Sequence, residues 1–377
     1  MRRVLALFVV LVLALAPVAG VSAHQLDTAR ALAGATAWLL TKQLPDGGFA
    51  GFSGASDPGM TVDAVLALAA AGLDPASVQA EGGQTAIAYL EAVAADYSET
   101  AGGAAKLALA AVASGRDPRA FGGIDLVARI EQAYDPASGL YDQQLFSNAY
   151  ALLALAAVGA SVPEAAIDAV LTRQASDGSW AWDGSTEPGA GDSNTTALVV
   201  QALAALGHAD DPAVTRAIEY LRSVQAPDGS FAYQPAEPLT GDANSTALAV
   251  QALLAVGEEP QSPAWRFALD ALARFANPSG ALRWRDDAPD DNLFATVQAI
   301  PALARQPFPL RGVVEPRAVA RQPLAIEETG CRLFPETGHS LCGAFLETWQ
   351  RLGGLPNFGY PLTRAYYDPD LGLVVQY

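Results

Sequence analysis

The chain is 377 residues long, 51% hydrophobic and only 16% charged, with a formal net charge of -18. Such acidity disfavours nucleic acid and other polyanions as partners. Both of its cysteines lie near the C-terminus, so a Cys-rich metal site cannot be built in the body of the chain, and no cofactor is expected.

Arg2 and Arg3, an apolar run over 4–16 and the small-x-small string Val21-Ser22-Ala23 have the layout of a secretory signal, too short for a stable membrane span. Residues 1–23 are therefore expected to be a signal peptide, and the mature protein to be secreted or held at the cell surface. Helical patterning then predicts pairs at 28–42 with 58–71, 80–97 with 101–114, 122–133 with 144–158, 163–174 with 192–206, 212–225 with 242–256, and 263–276 with 291–305. Turns such as Gly72-Leu-Asp74-Pro75 and Gly115-Arg-Asp117-Pro118 supply Gly at one helix end and Asp-Pro at the next start.

Within the pairs one pattern recurs: Gln43-Leu-Pro-Asp46-Gly47-Gly48-Phe49, Gln174-Ala-Ser-Asp177-Gly178-Ser179-Trp180 and Gln225-Ala-Pro-Asp228-Gly229-Ser230-Phe231. Asp192-Ser-Asn194-Thr195-Thr196 returns as Asp242-Ala-Asn244-Ser245-Thr246, at an offset of 50. A fixed period of that size signifies stacked helical units. The second helix of each pair is apolar nearly all round and so belongs inside. Six such helices ringed by six others predict an all-α fold, an (α/α)6 toroid over 24–310, closed in preference to an open superhelix. In the repeated turn, Gly allows the reversal, Asp bonds turn amides, the aromatic packs on a neighbouring unit, and Gln holds backbone between units.

The Gln-x-x-Asp-Gly-x-aromatic turns resemble the QW-type repeats of the terpenoid cyclase and protein prenyltransferase superfamily, over about 27–310. That resemblance implies fold rather than chemistry. The Asp-x-Asp-Asp acid motif of class II cyclases is missing, and the zinc ligands of protein prenyltransferases have no counterpart in the toroid, which holds His208 but no cysteine. Asp286-Asp287-Ala-Pro289-Asp290 matches the class I diphosphate-metal string in form, but Pro289 would break the helix that string needs, so an acidic solvated loop is expected. Asn244-Ser245-Thr246-Ala-Leu-Ala-Val-Gln251-Ala-Leu also resembles a segment of the transcobalamin and intrinsic factor family, which implies a corrinoid at the toroid mouth.

Asn194 with Gln201 and Asn244 with Gln251 are each seven apart, two helical turns, and share a face. They are candidate ligand-binding residues, with bonding between helices as the alternative. Asp192 and Asp242 are expected as N-caps bonded by Thr195 and Ser245. Asp63 and Lys106 are charged groups on inner helices, either rim residues or an acid and base. Trp182, Tyr233, Phe231 and Trp284 near the turns would form an aromatic rim or pack between units. The expected function is non-catalytic binding of a small molecule, corrinoid or isoprenoid-like, through Asn194, Gln201, Asn244, Gln251, Asp63, Trp182 and Tyr233. An enzyme using Asp63, Asp192, Asp242 and Asp290, cyclase-like or acting on glycans, is the first alternative, and a scaffold without ligand the second.

A Pro-rich linker over 311–326 leads to a small module over 327–377 of mixed structure. Gly353-Gly354-Leu-Pro-Asn-Phe358-Gly359-Tyr360-Pro361-Leu-Thr363 within it resembles the Leu-Gly-Phe-Pro repeats of exported bacterial surface proteins, which implies a cell-wall or surface contact. Cys331 and Cys342 are expected to form a structural disulfide rather than join His339 in a metal site. The final run, ending at Tyr377, is expected to be a truncated part of that module.

Overall fold

The computed structural model describes residues 23–310 other than Glu81, and short stretches between 331 and 375. The expected signal peptide apart from Ala23, the expected Pro-rich linker and the Gly353 to Thr363 string lie outside the described residues.

Twelve α-helices are described: α1 (Ala23–Leu40), α2 (Pro58–Ala70), α3 (Ala86–Tyr97), α4 (Ala101–Ala113), α5 (Leu126–Gln132), α6 (Leu145–Ala157), α7 (Glu164–Leu171), α8 (Ser193–Ala205), α9 (Pro212–Ser223), α10 (Ala243–Ala255), α11 (Ala268–Ala273) and α12 (Leu293–Leu303). The even-numbered helices are the inner ones. Each packs on the next, and α12 packs on α2, so the ring is closed. Ala and Leu on every side allow this: α4 buries Ala104, Ala105, Leu107, Ala108, Leu109, Ala110 and Ala111, which leaves no polar face. The outer α9, by contrast, buries Ala213, Val214, Ala217, Tyr220 and Leu221 along one stripe.

The repeated turns bind the units together. Asp46, Asp177 and Asp228 each accept from the backbone N–H two residues on, at 3.0 Å. Gln174 and Gln225 donate through Nε2 to the carbonyls of Gly178 and Gly229 in their own turns, and across to Ala213 and Trp265 of the next unit, at 2.7–3.0 Å. Gly178 and Gly229 have φ of 90° and 91° and abut the carbonyls of Arg216 and Arg266, so both conformation and space demand glycine. Gly280 of the sixth unit meets Gly34 of α1 in the same way and so closes the outer ring.

A hydroxyl on the inner helix, one turn in, holds the other side of each turn. Thr61, Thr196, Thr246 and Thr296 accept at Oγ1 from the backbone N–H of Phe49, Trp180, Phe231 and Leu282, each at 2.9 Å, and Asn148 serves Tyr141 at 2.8 Å. These turns therefore sit at the inner-helix starts. The starts lie together: Gly102 of α4 faces Ser147 of α6, Phe146 donates to the Trp182 carbonyl, and Ser193 donates to the Tyr233 carbonyl. They define one mouth.

The sixth outer element departs from the expected helix over 263–276. It is a 3-10 turn, Pro263–Trp265, followed by α11, with Arg266 and Phe267 at φ of 45° and 53°. The fifth turn docks on this break, where the Trp265 carbonyl accepts from Gln225 and Arg266 donates to both Gln225 oxygens. Two successive residues with left-handed φ cannot continue a right-handed helix, so the element breaks there.

Among the described residues, four two-stranded antiparallel ladders accompany the helices: β1 (Phe49–Ala50) with β2 (Ser56–Asp57), β3 (Arg283–Arg285) with β4 (Ala288–Asp291), β5 (Cys331–Phe334) with β6 (His339–Cys342), and β7 (Tyr366–Asp368) with β8 (Leu373–Val375). In β5 and β6 Cys331 faces Cys342, and the two form a disulfide. Phe334 and Trp349 make an edge-on aromatic contact beside it, with centroids 5.1 Å apart. Mass measurement under denaturing, non-reducing conditions should find no free thiol. Two alkylatable cysteines would refute the bridge.

Candidate functional site at the toroid mouth

Register along the inner helices builds the lumen. Their sixth residues, in ring order, are Asp63, Lys106, Tyr150, Leu198, Leu248 and Gln298. Their ninth are Leu66, Leu109, Leu153, Gln201, Gln251 and Pro301, all buried. The wall is thus polar on one side of a mid-lumen layer, and the layer below it is aliphatic except for Gln201 and Gln251. Between the layers remains a cavity of about 10 Å³, lined by Asp63, Tyr150, Leu248, Gln251, Val297, Gln298 and Phe308. That is room for roughly one water.

Asp63 Oδ1 lies 2.7 Å from Lys106 Nζ, and the ammonium stands 5.4 Å from the Tyr150 ring centroid. Burial opposes the lysine charge, but Asp63, and then the Tyr150 and Tyr97 phenols, outweigh it and raise the Lys106 pKa. Burial, eased by Lys106 and reinforced by Asp63, pushes Tyr150 up to about 12, so its phenol is neutral at physiological pH.

A second pocket, of about 240 Å³, opens over the starts of α4 and α6, lined by Tyr97, Thr100, Gly102, Gly103, Lys106, Phe146, Ser147 and Tyr150. Its position follows from the repeat. In the other units a long turn bridges outer and inner helix, whereas in the second only Ser98-Glu99-Thr100 separates α3 from α4. The rim is lowest there, and Gly102 stands where the fourth and fifth units carry Asn194 and Asn244. Lys106 and Tyr150 form its floor.

The expected site residues fall into four groups. Asp63 is in the mid-lumen layer, on the ion pair just described. Asn194 and Asn244 occupy the mouth of α8 and α10, and Asn244 Nδ2 donates to Gln298 Oε1 at 2.8 Å. Gln201 and Gln251 lie deeper. Gln201 Oε1 accepts from the Phe308 N–H at 2.9 Å, whereas Gln251 Oε1 is buried without a partner. Trp182 and Tyr233 stand on the rim, 50% and 43% exposed, with Trp284 at the equivalent place in the sixth unit at 40%. Phe231 is fully buried against Trp265.

The carboxylates considered for catalysis do not converge. Asp192 and Asp242 cap α8 and α10 through paired bonds to Thr195 and Ser245, at 2.7–2.9 Å. Burial, resisted by those bonds, raises the pKa of both. Asp290 is exposed on the β3–β4 hairpin, and Pro289 is in that hairpin rather than a helix.

The family model of the prenyltransferase alpha-alpha toroid domain matches residues 2–285. The chain belongs to that family. The match fits the QW-type turns, whose Gln, Asp, Gly and aromatic positions all have the contacts described above. Among solved structures, type II terpene cyclase MstE from Scytonema, bound to geranylgeranyl dihydroxybenzoate, aligns at a TM-score of 0.55 and 17% identity, covering 75% of this chain and 98% of that one. An unsaturated glucuronyl hydrolase specific for heparin aligns at 0.52 and 13%, covering 75% and 96%. Haptocorrin in complex with Cbi aligns at 0.48 and 14%, covering 75% and 68%. No curated protein sequence matches the chain. At such identities the cyclase and the hydrolase share the fold, and that fold is common to different activities.

Sequence analysis missed the threonines at the fourth inner-helix position and the pocket residues Tyr97, Phe146 and Tyr150. The threonines were detectable, because Thr61, Thr196, Thr246 and Thr296 each stand four residues after the cap, Asp57, Asp192, Asp242 or Asn292. The pocket had no such signal, since it arises where the pattern is interrupted.

Proposed function

We propose that this protein is an exported, non-catalytic binder of a small amphipathic molecule, held at the mouth over α4 and α6. The pocket at the gap in the rim carries this reading. Tyr97, Phe146 and Tyr150 offer apolar faces, while Thr100 and Ser147 at the helix starts and Lys106 on the floor offer polar groups, the division of labour expected of a small-molecule site. Asp63 fixes the Lys106 ammonium. The filled lumen below favours a ligand that rests in the mouth over one threaded through the barrel.

A ligand larger than the pocket, a corrinoid included, would extend across the mouth past Asn194 and Asn244 to Trp182 and Tyr233. Gln201 and Gln251 would then stabilise the wall beneath it. Export is supported by the leader-like first 23 residues and by the disulfide, and no described helix is long and apolar enough to cross a membrane. A surface contact through the C-terminal module rests on its sequence resemblance alone.

Calorimetry of the full chain against cobalamin and cobinamide, prenylated aryl acids and unsaturated glucuronides tests the proposal. One class should bind with one-to-one stoichiometry. Tyr150→Ala should weaken it by about tenfold or more, the loss expected on removing one buried contact face of roughly 1.4 kcal/mol. Trp182→Ala separates the sizes: it should weaken a mouth-spanning ligand and spare one confined to the pocket. Saturable turnover of any panel member would overturn the non-catalytic reading, and binding indifferent to Tyr150→Ala would overturn the site.

A further inference from the structure

The far half of the lumen is filled by a segment that belongs to none of the six units. After α12 the chain turns back at Arg305, at φ 57°, and runs across the end of the barrel to Leu310. Phe308 and Leu310 are buried, and Phe308 lines the small lumen cavity with Leu248, Gln251 and Val297. Its backbone N–H donates to Gln201 Oε1, a partner 107 residues away. Outside the lumen the attachment is polar and exposed, through the bidentate pair of Arg305 with Glu259 at 2.7 and 3.0 Å.

We propose that this strap is a built-in occupant: the far lumen is a pocket for an aromatic group bearing an amide donor, and the chain supplies its own as Phe308. Three observations converge on this. An aromatic ring shares the cavity with the aliphatic Leu248 and Val297, opposite Asp63, Tyr150 and Gln298, an amide donor meets Gln201 Oε1, and a second acceptor, Gln251 Oε1, belongs to a buried residue, faces the same cavity and has no partner. A buried acceptor left unpaired is costly, so the pocket favours an occupant with more donors than the strap provides. The two glutamines select for amide or amine donors, and the walls of Leu248 and Val297 for a ring. The mouth pocket, which Tyr150 also lines, is not required for this inference.

Phe308→Ala in the full chain removes the ring and keeps the backbone. Benzamide, with a ring and two donors, should then bind one-to-one and raise the melting temperature, while the unmodified protein shows no such site. Toluene, without donors, should bind about tenfold more weakly than benzamide, as befits one buried hydrogen bond. The residue-308 N–H still occupies Gln201 in this variant, so Gln251 is the open acceptor, and adding Gln251→Leu to Phe308→Ala should abolish the difference and retain toluene binding. Phe308→Leu repeats the comparison with a smaller gap should the alanine variant fail to fold. A folded variant that binds neither probe, or benzamide no tighter than toluene, would overturn the proposal.

Discussion

Asp63→Asn should destabilise the protein by about 2–3 kcal/mol, somewhat below the roughly 3–5 kcal/mol typical when one partner of a fully buried ion pair is removed. The discount reflects the residual exposure of the two side chains, 14% for Asp63 and 19% for Lys106. The cost falls on the lysine that remains, an ammonium facing Tyr150 and Tyr97 without its counter-charge. Lys106→Met alone should cost a similar amount by stranding the carboxylate. Asp63→Leu with Lys106→Met should recover most of the loss, because a well-packed apolar pair of similar volume commonly matches a buried salt bridge. Urea unfolding of the four proteins checks this, and additive single losses in the double variant would refute it. The pair also fixes a pH signature. Because the folded pKa of Lys106 is raised above its ordinary 10.5, its stabilisation is complete below that value and is lost only as the pH climbs through the folded pKa. Stability should therefore show no lysine-linked change near neutrality.

The fold was legible because its repeat writes each structural need into sequence. Gln225, Asp228, Gly229 and Phe231 meet four separate requirements, a bond between units, a turn bond, a left-handed φ and a buried ring. The inner helices were legible for the opposite reason: their lack of a polar face admits only an interior position. The site was far less legible. Asp63 and Lys106 are 43 positions apart, and nothing local to either marks the other; only ring closure, which aligns the sixth residues of α2 and α4, makes them a pair. Likewise Asn194 and Gln201 share a helical face as periodicity requires, yet Gln201 turns out to engage a strap from beyond the last helix. Helix phase gives a residue's direction. It does not give what another unit places opposite.

Trp180→Ala should be among the most damaging single substitutions, at about 3–5 kcal/mol for loss of a fully buried aromatic. Its ring is completely enclosed and its Nε1 donates to the Val170 carbonyl of α7 at 2.9 Å, so truncation opens a cavity and removes one of the bonds to that carbonyl, which keeps the Arg173 N–H. Thr196→Val tests the other half of the clamp. It keeps the shape but deprives the Trp180 backbone N–H of its acceptor, at a cost of about 1–3 kcal/mol. Trp182→Ala, two residues on, is the internal control, because the Trp182 side chain is half exposed and its backbone carbonyl, which holds the start of α6, is retained. That change should stay within about 0.5 kcal/mol, as surface substitutions do. Chemical denaturation distinguishes the two tryptophans directly. Equal losses at 180 and 182 would mean that the rim, rather than the repeated turn, holds the fourth unit to its neighbours; a large loss confined to 180 and 196 would show that each turn clamps its unit independently of what the mouth binds.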